Sequence, residues 1–512
     1  MLEQSILEKL YIVWLQSWFF SLLQRIYGCF RRAAADSLLL RLIFREGALE
    51  QAFHSSRIVS AVCAVFVRFR NLLVRCDLLH LSDAWEDSAV IRLLRGSVLR
   101  WLTRFEGLFC AFLFVMFVVP HKHWNNLYAA AAAFLFLLLY LFLAGKGRRR
   151  WLSPKLLGLG GFLFLLALLL SLGFTLVPMD SLRILLFFLA SFSLCYVIAA
   201  NFRDPAKLRQ LLAVLYAALL VISLYGIAQN VFDLVDVNSS YTDLANNQGV
   251  PGRVYSTLSN PINLSEFILL FMPLSAAFAG GAKKTWLQVL LALGLVFPAL
   301  ALLLTYSRGG WLAIMLAAVV FTFCCNKRLI PALILLGILA IPFLPDSVMT
   351  RLSTIGSTKD SSTMHRLDIW TGVLAMLRDD ARFITGIGLG PETFSRVYPF
   401  YSVGTAKTGA YHSQLHYLEL VLETGLLGLL SFLYMIFKYL GRAAKGIRSG
   451  SRDIRLILIA CVSSIAALAF VGLVEYIWFY QRIMFAFFIF LGILLAAAGC
   501  AQDQAAAEEI QV

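Results

Sequence analysis

What most constrains this chain is a succession of apolar stretches, each of roughly 15–23 residues, the length a bilayer core demands of a helix. The short connectors between them hold most of the charge. From residue 107 onward about twelve such runs follow one another: 107–120, 127–143, 156–176, 184–200, 211–231, 262–279, 286–304, 311–325, 329–344, 417–439, 456–474 and 483–499. Of the 512 residues 60% are hydrophobic and only 14% charged, which excludes an ordinary water-soluble protein and a disordered one. The expected fold is all-α: a polytopic integral membrane protein with about 12 transmembrane helices.

The net charge of +15 would suggest a nucleic-acid partner in a soluble protein. In a membrane protein its placement matters more. Lys146 with Arg148, Arg149 and Arg150, then Arg203, Lys207 and Arg209, then Lys283 and Lys284, then Lys327 and Arg328, then Arg442, Lys445, Arg448, Arg452 and Arg455 occupy every second connector. Those connectors are predicted to be cytoplasmic, with both termini inside; membrane lipids are the expected surroundings and no nucleic acid is expected. Cys110, Cys195, Cys324, Cys325, Cys461 and Cys500 fall in or at the ends of apolar runs, and Cys29, Cys63 and Cys76 in the N-terminal region, so no external disulfide is expected. Glu3 and Glu8 stand where a secretory signal would be basic.

Three regions are expected. Residues 1–105 intersperse apolar residues with Arg25, Arg31, Arg32, Arg41, Arg45, Arg57, Arg68, Arg70 and Arg75. They fit either amphipathic helices on the cytoplasmic membrane surface or a small helical domain on that side. Residues 106–500 form the membrane domain, and 501–512 a cytoplasmic tail. Two outer connectors are long, 232–261 and 345–411. In the second, Ser362 or Thr363 can cap a helix whose apolar face is Leu367, Trp370, Val373, Leu374 and Leu377, lying over the outer surface. Gly386, Gly388 and Gly390 follow in G-I-G-L-G, whose spacing is wrong for a dinucleotide loop and which instead predicts tight turns.

Four outward positions place a charge or an imidazole where an unneeded one is costly. Arg308 in T-Y-S-R-G-G-W, Arg253 in G-R-V-Y-S-T-L-S-N-P and Arg366 in H-R-L-D-I-W each suit bidentate phosphate binding, with Lys407 a weaker member of the set. Taken singly, each is equally well explained by a headgroup contact or an ion pair, such as Arg366 with Asp368. His412 stands at the mouth of the returning helix, and His412, His416, Glu419 and Glu423 recur at spacings that put them on one helical face. His412 as a general base, a metal site of His412, His416 and Glu419, and a structural histidine at headgroup level all remain open.

Together S-R-G-G-W, G-R-V-Y-S-T-L-S-N-P, R-L-x-I-W, G-I-G-L-G and H-S-…-Y-L-E-L-V-L-E-T-G-L-L-G resemble the O-antigen ligase and O-antigen polymerase family of bacterial envelope polysaccharide biosynthesis, over about residues 250–430. The resemblance implies a C-type glycosyltransferase-like membrane domain in the bacterial inner membrane, with a large extracytoplasmic helical loop at 345–411 that bears the active site. It implies metal-independent, inverting transfer of a glycan from undecaprenyl diphosphate to an acceptor hydroxyl on a glycan, lipid or protein, without a cofactor, by a ligase or a repeat-unit polymerase. Carried over by motif, Arg308 and Arg253 bind the diphosphate, with Arg366 a further ligand. His412 is the base, His416 its runner-up, and Glu419, Glu423 and Lys407 support them. Relatives carry a second His and an Asn where Gln414 and Leu415 stand here. The reading from another class is a secondary transporter of a small anion or solute, for which Glu419 and Glu423 would serve.

Overall fold

The structure, a computed structural model, describes residues 48–75, 88–96, 98–235, 252–353, 361–404 and 410–511, with a few isolated positions before residue 48. Lys407, Cys29, Cys76 and most of residues 1–47 lie outside the described residues. In chain order the helices are α1 Ala48–Ser55, α2 Arg57–Arg75, α3 Ala89–Arg95, α4 Phe105–Val118, α5 Asn126–Gly145, α6 Gly158–Ser171, α7 Pro178–Asn201, α8 Pro205–Val231, α9 Pro261–Gly280 and α10 Thr285–Leu304. Then come α11 Arg308–Asn326, α12 Ile330–Ala340, α13 Asp346–Ser353, α14 Ser361–Arg378, α15 Arg382–Thr385, α16 Pro391–Val397, α17 His416–Ser449, α18 Arg452–Val471 and α19 Gln481–Gln511. Among the described residues there is no strand.

Local chemistry sets the boundaries. Pro178, Pro205 and Pro261 open α7, α8 and α9, where a missing N–H costs nothing. Asp204 and Asn260 accept the first free N–H groups of α8 and α9, and Ser307 Oγ accepts that of Gly310 in α11.

Among the described residues ten stretches are long and apolar enough to cross a membrane, and α4 is a shorter apolar helix. One of the ten, Arg308–Ala340, contains two of the expected runs. Unbroken, its 33 residues would extend about 50 Å, and the few residues beyond it reach back at most about 20 Å. Yet Tyr306 Oη lies 3.0 Å from Ser347 Oγ, so the chain reverses at the 3₁₀ turn Lys327–Leu329 and α11 and α12 form a hairpin. A polytopic all-helical membrane protein is thus what the structure shows, with α4 and the hairpin accounting for the expected count.

α19 is apolar all round, and its whole apolar window is buried by its neighbours, as befits the central post of a bundle. α7 and α9 are mostly buried beside it. α10, α11 and α12 instead turn Leu290, Leu293, Met315, Leu336 and Ile338 outward, an apolar rim that suits lipid and not water. The helix of α19 runs through the expected tail to Gln511.

The bundle has two distinct ends. At one, Arg149 and Lys207 pair with Glu106 at 2.9 and 2.6 Å, Arg203 and Arg150 pair with Asp503, and Arg209 donates to the Gly281 carbonyl. Basic connectors far apart in sequence therefore meet, as the alternation predicts. α1 and α2 dock here too: Arg70 lies over Trp151 at 4.8 Å, and Lys155 Nζ donates to the His54 carbonyl. The other end gathers the described connectors poor in Lys and Arg together with residues 345–353, 361–404 and 410–415.

Two expectations about that end need correction. In α14 the buried positions are Ile369, Val373, Met376 and Leu377, while Leu367 and Leu374 are exposed. The reason is that α14 packs against α16 and α17 through a separate small core that includes Ile387, Phe394, Tyr398 and Leu422, which keeps Trp370, Val373 and Leu377 of the expected face inward and turns only Leu367 and Leu374 out. His412 is not on the helical face of His416, Glu419 and Glu423. The helix begins at His416, because Gln414 adopts a left-handed φ of 53° and Glu419 accepts the Ser413 N–H at 2.5 Å.

Candidate functional site

Four arginines converge at the second end. The extended segment before α9 is drawn into the bundle by Val254 N–H to the Leu304 carbonyl and by Ser256 N–H to Gln229 Oε1. This buries Arg253, whose Nε donates to the Thr305 carbonyl at 2.7 Å. Arg308 is the first residue of α11. Gly310 lets that helix approach α9 so closely that a Cβ there would fall 2.0 Å from Ser265 Oγ. Arg366, on α14, donates from Nη2 to Glu475 Oε1 at 2.6 Å and from Nε to Gln414 Oε1 at 3.2 Å. Arg351, on α13, is buried within electrostatic reach of Arg253.

The electrostatics register the crowding. Burial, then Arg351, then Arg308 and Arg366, push Arg253 down to about 10, with Glu475 opposing. Burial raises Glu475 against the pull of Arg366, Arg253 and Arg308. Arg366, Arg253 and Arg308 act on the one Glu475 carboxylate, and Arg351 bears on Arg253, so guanidiniums crowd one another in a largely buried place. A protein sustains that arrangement at real cost, and it fits a doubly charged anion.

His412 lies in the connector between this cluster and α17. Its ring packs on Phe479 with centroids 4.4 Å apart and on Tyr476 at 5.7 Å, and its Nδ1 accepts the Gln414 N–H at 3.1 Å. In the neutral ring the proton is therefore on Nε2. Burial first and Arg366 second lower His412 to about 4, so the imidazole is neutral near pH 7. His416 is a different kind of residue: both ring nitrogens are buried and among the described residues have no hydrogen-bond partner, and Trp478, Phe432 and Tyr476 surround the ring. Among the described residues no three His, Cys, Asp or Glu side chains gather as a metal would require, so His412, His416 and Glu419 do not form the three-ligand cluster left open above.

The two glutamates of α17 act as clamps. Glu419 holds the Ser413 N–H, and Glu423 accepts the Gly390 N–H and the Tyr476 hydroxyl, each at 3.1 Å. The G-I-G-L-G run makes the turns expected of it, with φ of 72°, 99° and 101° at Gly386, Gly388 and Gly390. It lies against α17 where that helix breaks at Gly425 (φ 68°), and the Ile387 N–H donates to the Leu422 carbonyl. A Cβ at Gly388 would sit 2.3 Å from Thr175 Cβ, and one at Gly390 2.4 Å from Asp180 Oδ2. Gly388→Ala is therefore expected to cost at least about 1–3 kcal/mol from backbone strain alone. A lowered Tm in detergent together with reduced activity checks it; a wild-type Tm would show the loop yields.

The structure thus brings Arg253, Arg308 and Arg366 together, sets His412 beside Arg366, and gives Glu419 and Glu423 to the scaffold. Sequence reading missed Arg351, because it stands in a short loop helix without a neighbouring motif. It missed Glu475 and Gln414 because each acts only through a partner 109 or 48 residues away. Arg482, fully buried between the rings of Trp124 and Tyr480 with Nη1 on the Val119 carbonyl, was also missed; it caps the end of α4.

A family profile described as O-antigen ligase matches residues 291–433. The match spans Arg308, Arg351, Arg366, the glycine turns, His412 and the first half of α17, while Arg253 and Glu475 lie outside it. No curated protein matches the chain.

Proposed function

We propose that this chain, a member of the O-antigen ligase family, transfers a glycan from a polyprenyl diphosphate, of the undecaprenyl type, to an acceptor hydroxyl. The observation that carries the reading is the convergence of Arg253, Arg308 and Arg366 on the Glu475 carboxylate, with Arg351 beside Arg253. Diphosphate is a good leaving group, so the chain's task is to stabilise the charge that grows on it, and fixed guanidiniums in a site shielded from water do so without reorganising. The bond between the sugar C1 and the diphosphate oxygen breaks as the acceptor oxygen bonds to C1 from the opposite face, giving inversion. The acceptor proton goes to the base, His412, and the polyprenyl diphosphate departs.

Donor binding readies that base. The dianion offsets Arg366, one of the two causes that hold His412 low, and so raises its proton affinity when a base is needed. By the positive-inside rule the basic end faces the cytoplasm and the arginine site faces outward, where an apolar rim admits the lipid sideways. On the cytoplasmic side α2 exposes Ile58, Val62, Val65, Phe69 and Leu72 as one helical stripe, suited to the inner leaflet with its arginines at the headgroups. A solute carrier built on Glu419 and Glu423 is the weaker reading, since the Ser413 and Gly390 amides and the Tyr476 hydroxyl already engage those carboxylates.

The test is transfer from a lipid-diphosphate glycan by purified protein in EDTA, across glycan, lipid and protein acceptors. Activity is expected to survive the chelator. Activity that needs a divalent ion, or protein that neither binds nor consumes the donor, overturns the reading; the acceptor that is used separates ligase from polymerase.

A further inference from the structure

We infer that Glu475 is a built-in stand-in for the donor's diphosphate: its carboxylate occupies the arginine site in the resting protein and is neutralised by a proton when the diphosphate arrives. The inference rests on the diphosphate reading of the site. Its geometry is that of the ligand's own contact, with Glu475 Oε1 taking the Arg366 Nη2 donor at 2.6 Å while Arg253 and Arg308 act on the same carboxylate. Among the described residues the cations that act on it are these three arginines, and the carboxyl that faces it is Glu266. That residue faces Glu475 electrostatically from α9, is buried, and among the described residues finds no hydrogen-bond partner for Oε1. His412 bears on the pair only through Arg366, and Tyr476 is occupied by Glu423.

The carboxylate has little room to leave. The Glu475 N–H donates to the Val471 carbonyl, the next residue is tied through the Tyr476 hydroxyl to Glu423, and Trp478 is packed against His416. A diphosphate that takes over Arg366, Arg253 and Arg308 strips Glu475 of the cations that keep it ionised. Burial, already the largest influence on this carboxyl, then favours the acid form, and one proton is drawn from solvent. Uptake of a proton on binding makes affinity rise as pH falls, by at most about tenfold per pH unit while a whole proton is taken up.

The probe is farnesyl methyl diphosphate, a P1,P2-diester whose own charge is constant across the neutral range, titrated into the purified full chain. Wild type is expected to bind more tightly as pH falls from 8 to 6, whereas Glu475→Gln is expected to bind several-fold more tightly at pH 8 and to lose the pH dependence. Equal or weaker binding by Glu475→Gln would make Glu475 an anchor for Arg366 and overturn the inference, as would pH-independent binding by wild type, which needs no variant. Protein that binds no diester at any pH would fail the diphosphate reading itself, a separate outcome.

Discussion

Replacing Arg308 with alanine lowers kcat/KM for glycan transfer by roughly 10²–10³-fold, the effect typical of removing one preorganised donor from the place where charge develops. The bundle stays folded, because Arg308 begins α11 at the bundle's edge, and the Ser307 cap and the Gly310 contact with Ser265 hold that helix in place without it. Loss in kcat is expected to exceed the rise in KM. The diphosphate is already dianionic when bound, and Arg253, Arg351 and Arg366 still hold it, whereas the extra negative charge on the leaving oxygen appears only as C1–O breaks. Arg308→Lys recovers only part of the loss, since a point charge replaces a planar fork. Steady-state kinetics at matched expression and Tm check this, and an alanine variant within threefold of wild type would remove Arg308 from the site.

How far the sequence foretells this arrangement depends on the range of the interaction involved. Helix runs and the alternation of basic connectors are local, so the spans and the gathering of Arg149, Arg203 and Lys207 at one end were legible. The glycine turns were legible for the same reason: G-I-G-L-G has few conformations other than turns open to it in this setting. What failed depends on tertiary partners. α14 buries Ile369 and Met376 in place of Leu367 and Leu374 because α16 and α17 form a second core beneath it. Helical periodicity carried from Glu419 back to His412 was wrong because the Glu419 carboxylate draws in the Ser413 amide and Gln414 turns left-handed. Arg253, Arg308 and Arg366 were conspicuous as charges on an apolar face. Glu475 and Arg351 carry no such signal until the fold sets Glu475 among those three and Arg351 beside Arg253.

Replacing His412 with alanine or with glutamine is expected to reduce transfer equally, by roughly 10²–10⁴-fold, the range general-base catalysis supplies. The glutamine variant is the informative one. A carboxamide can hold the space and donate a hydrogen bond as Nε2–H does, but it takes no proton at neutral pH. If His412→Gln kept a tenth or more of wild-type turnover, His412 would be a neutral donor to the leaving group and not the base. The resting geometry makes this a sharp choice, since Nδ1 is committed to the Gln414 N–H and Nε2 carries the proton. Whichever nitrogen accepts the acceptor's proton, the Gln414 amide has to release Nδ1 first. Gln414 sits at a left-handed φ that only local contacts sustain, and one of those contacts is its side-chain carbonyl on Arg366 Nε. A diphosphate that claims Arg366 therefore loosens the residue that holds His412 in the unproductive tautomer. The free protein is expected to keep a neutral His412 down to about pH 4, because burial and Arg366 both disfavour the imidazolium. The donor complex, with Arg366 neutralised, is expected to titrate higher, so the acid limb of kcat lies above that of kcat/KM. Coincident acid limbs would mean that donor binding leaves His412 untouched, and the coupling through Arg366 and Gln414 would fall with it.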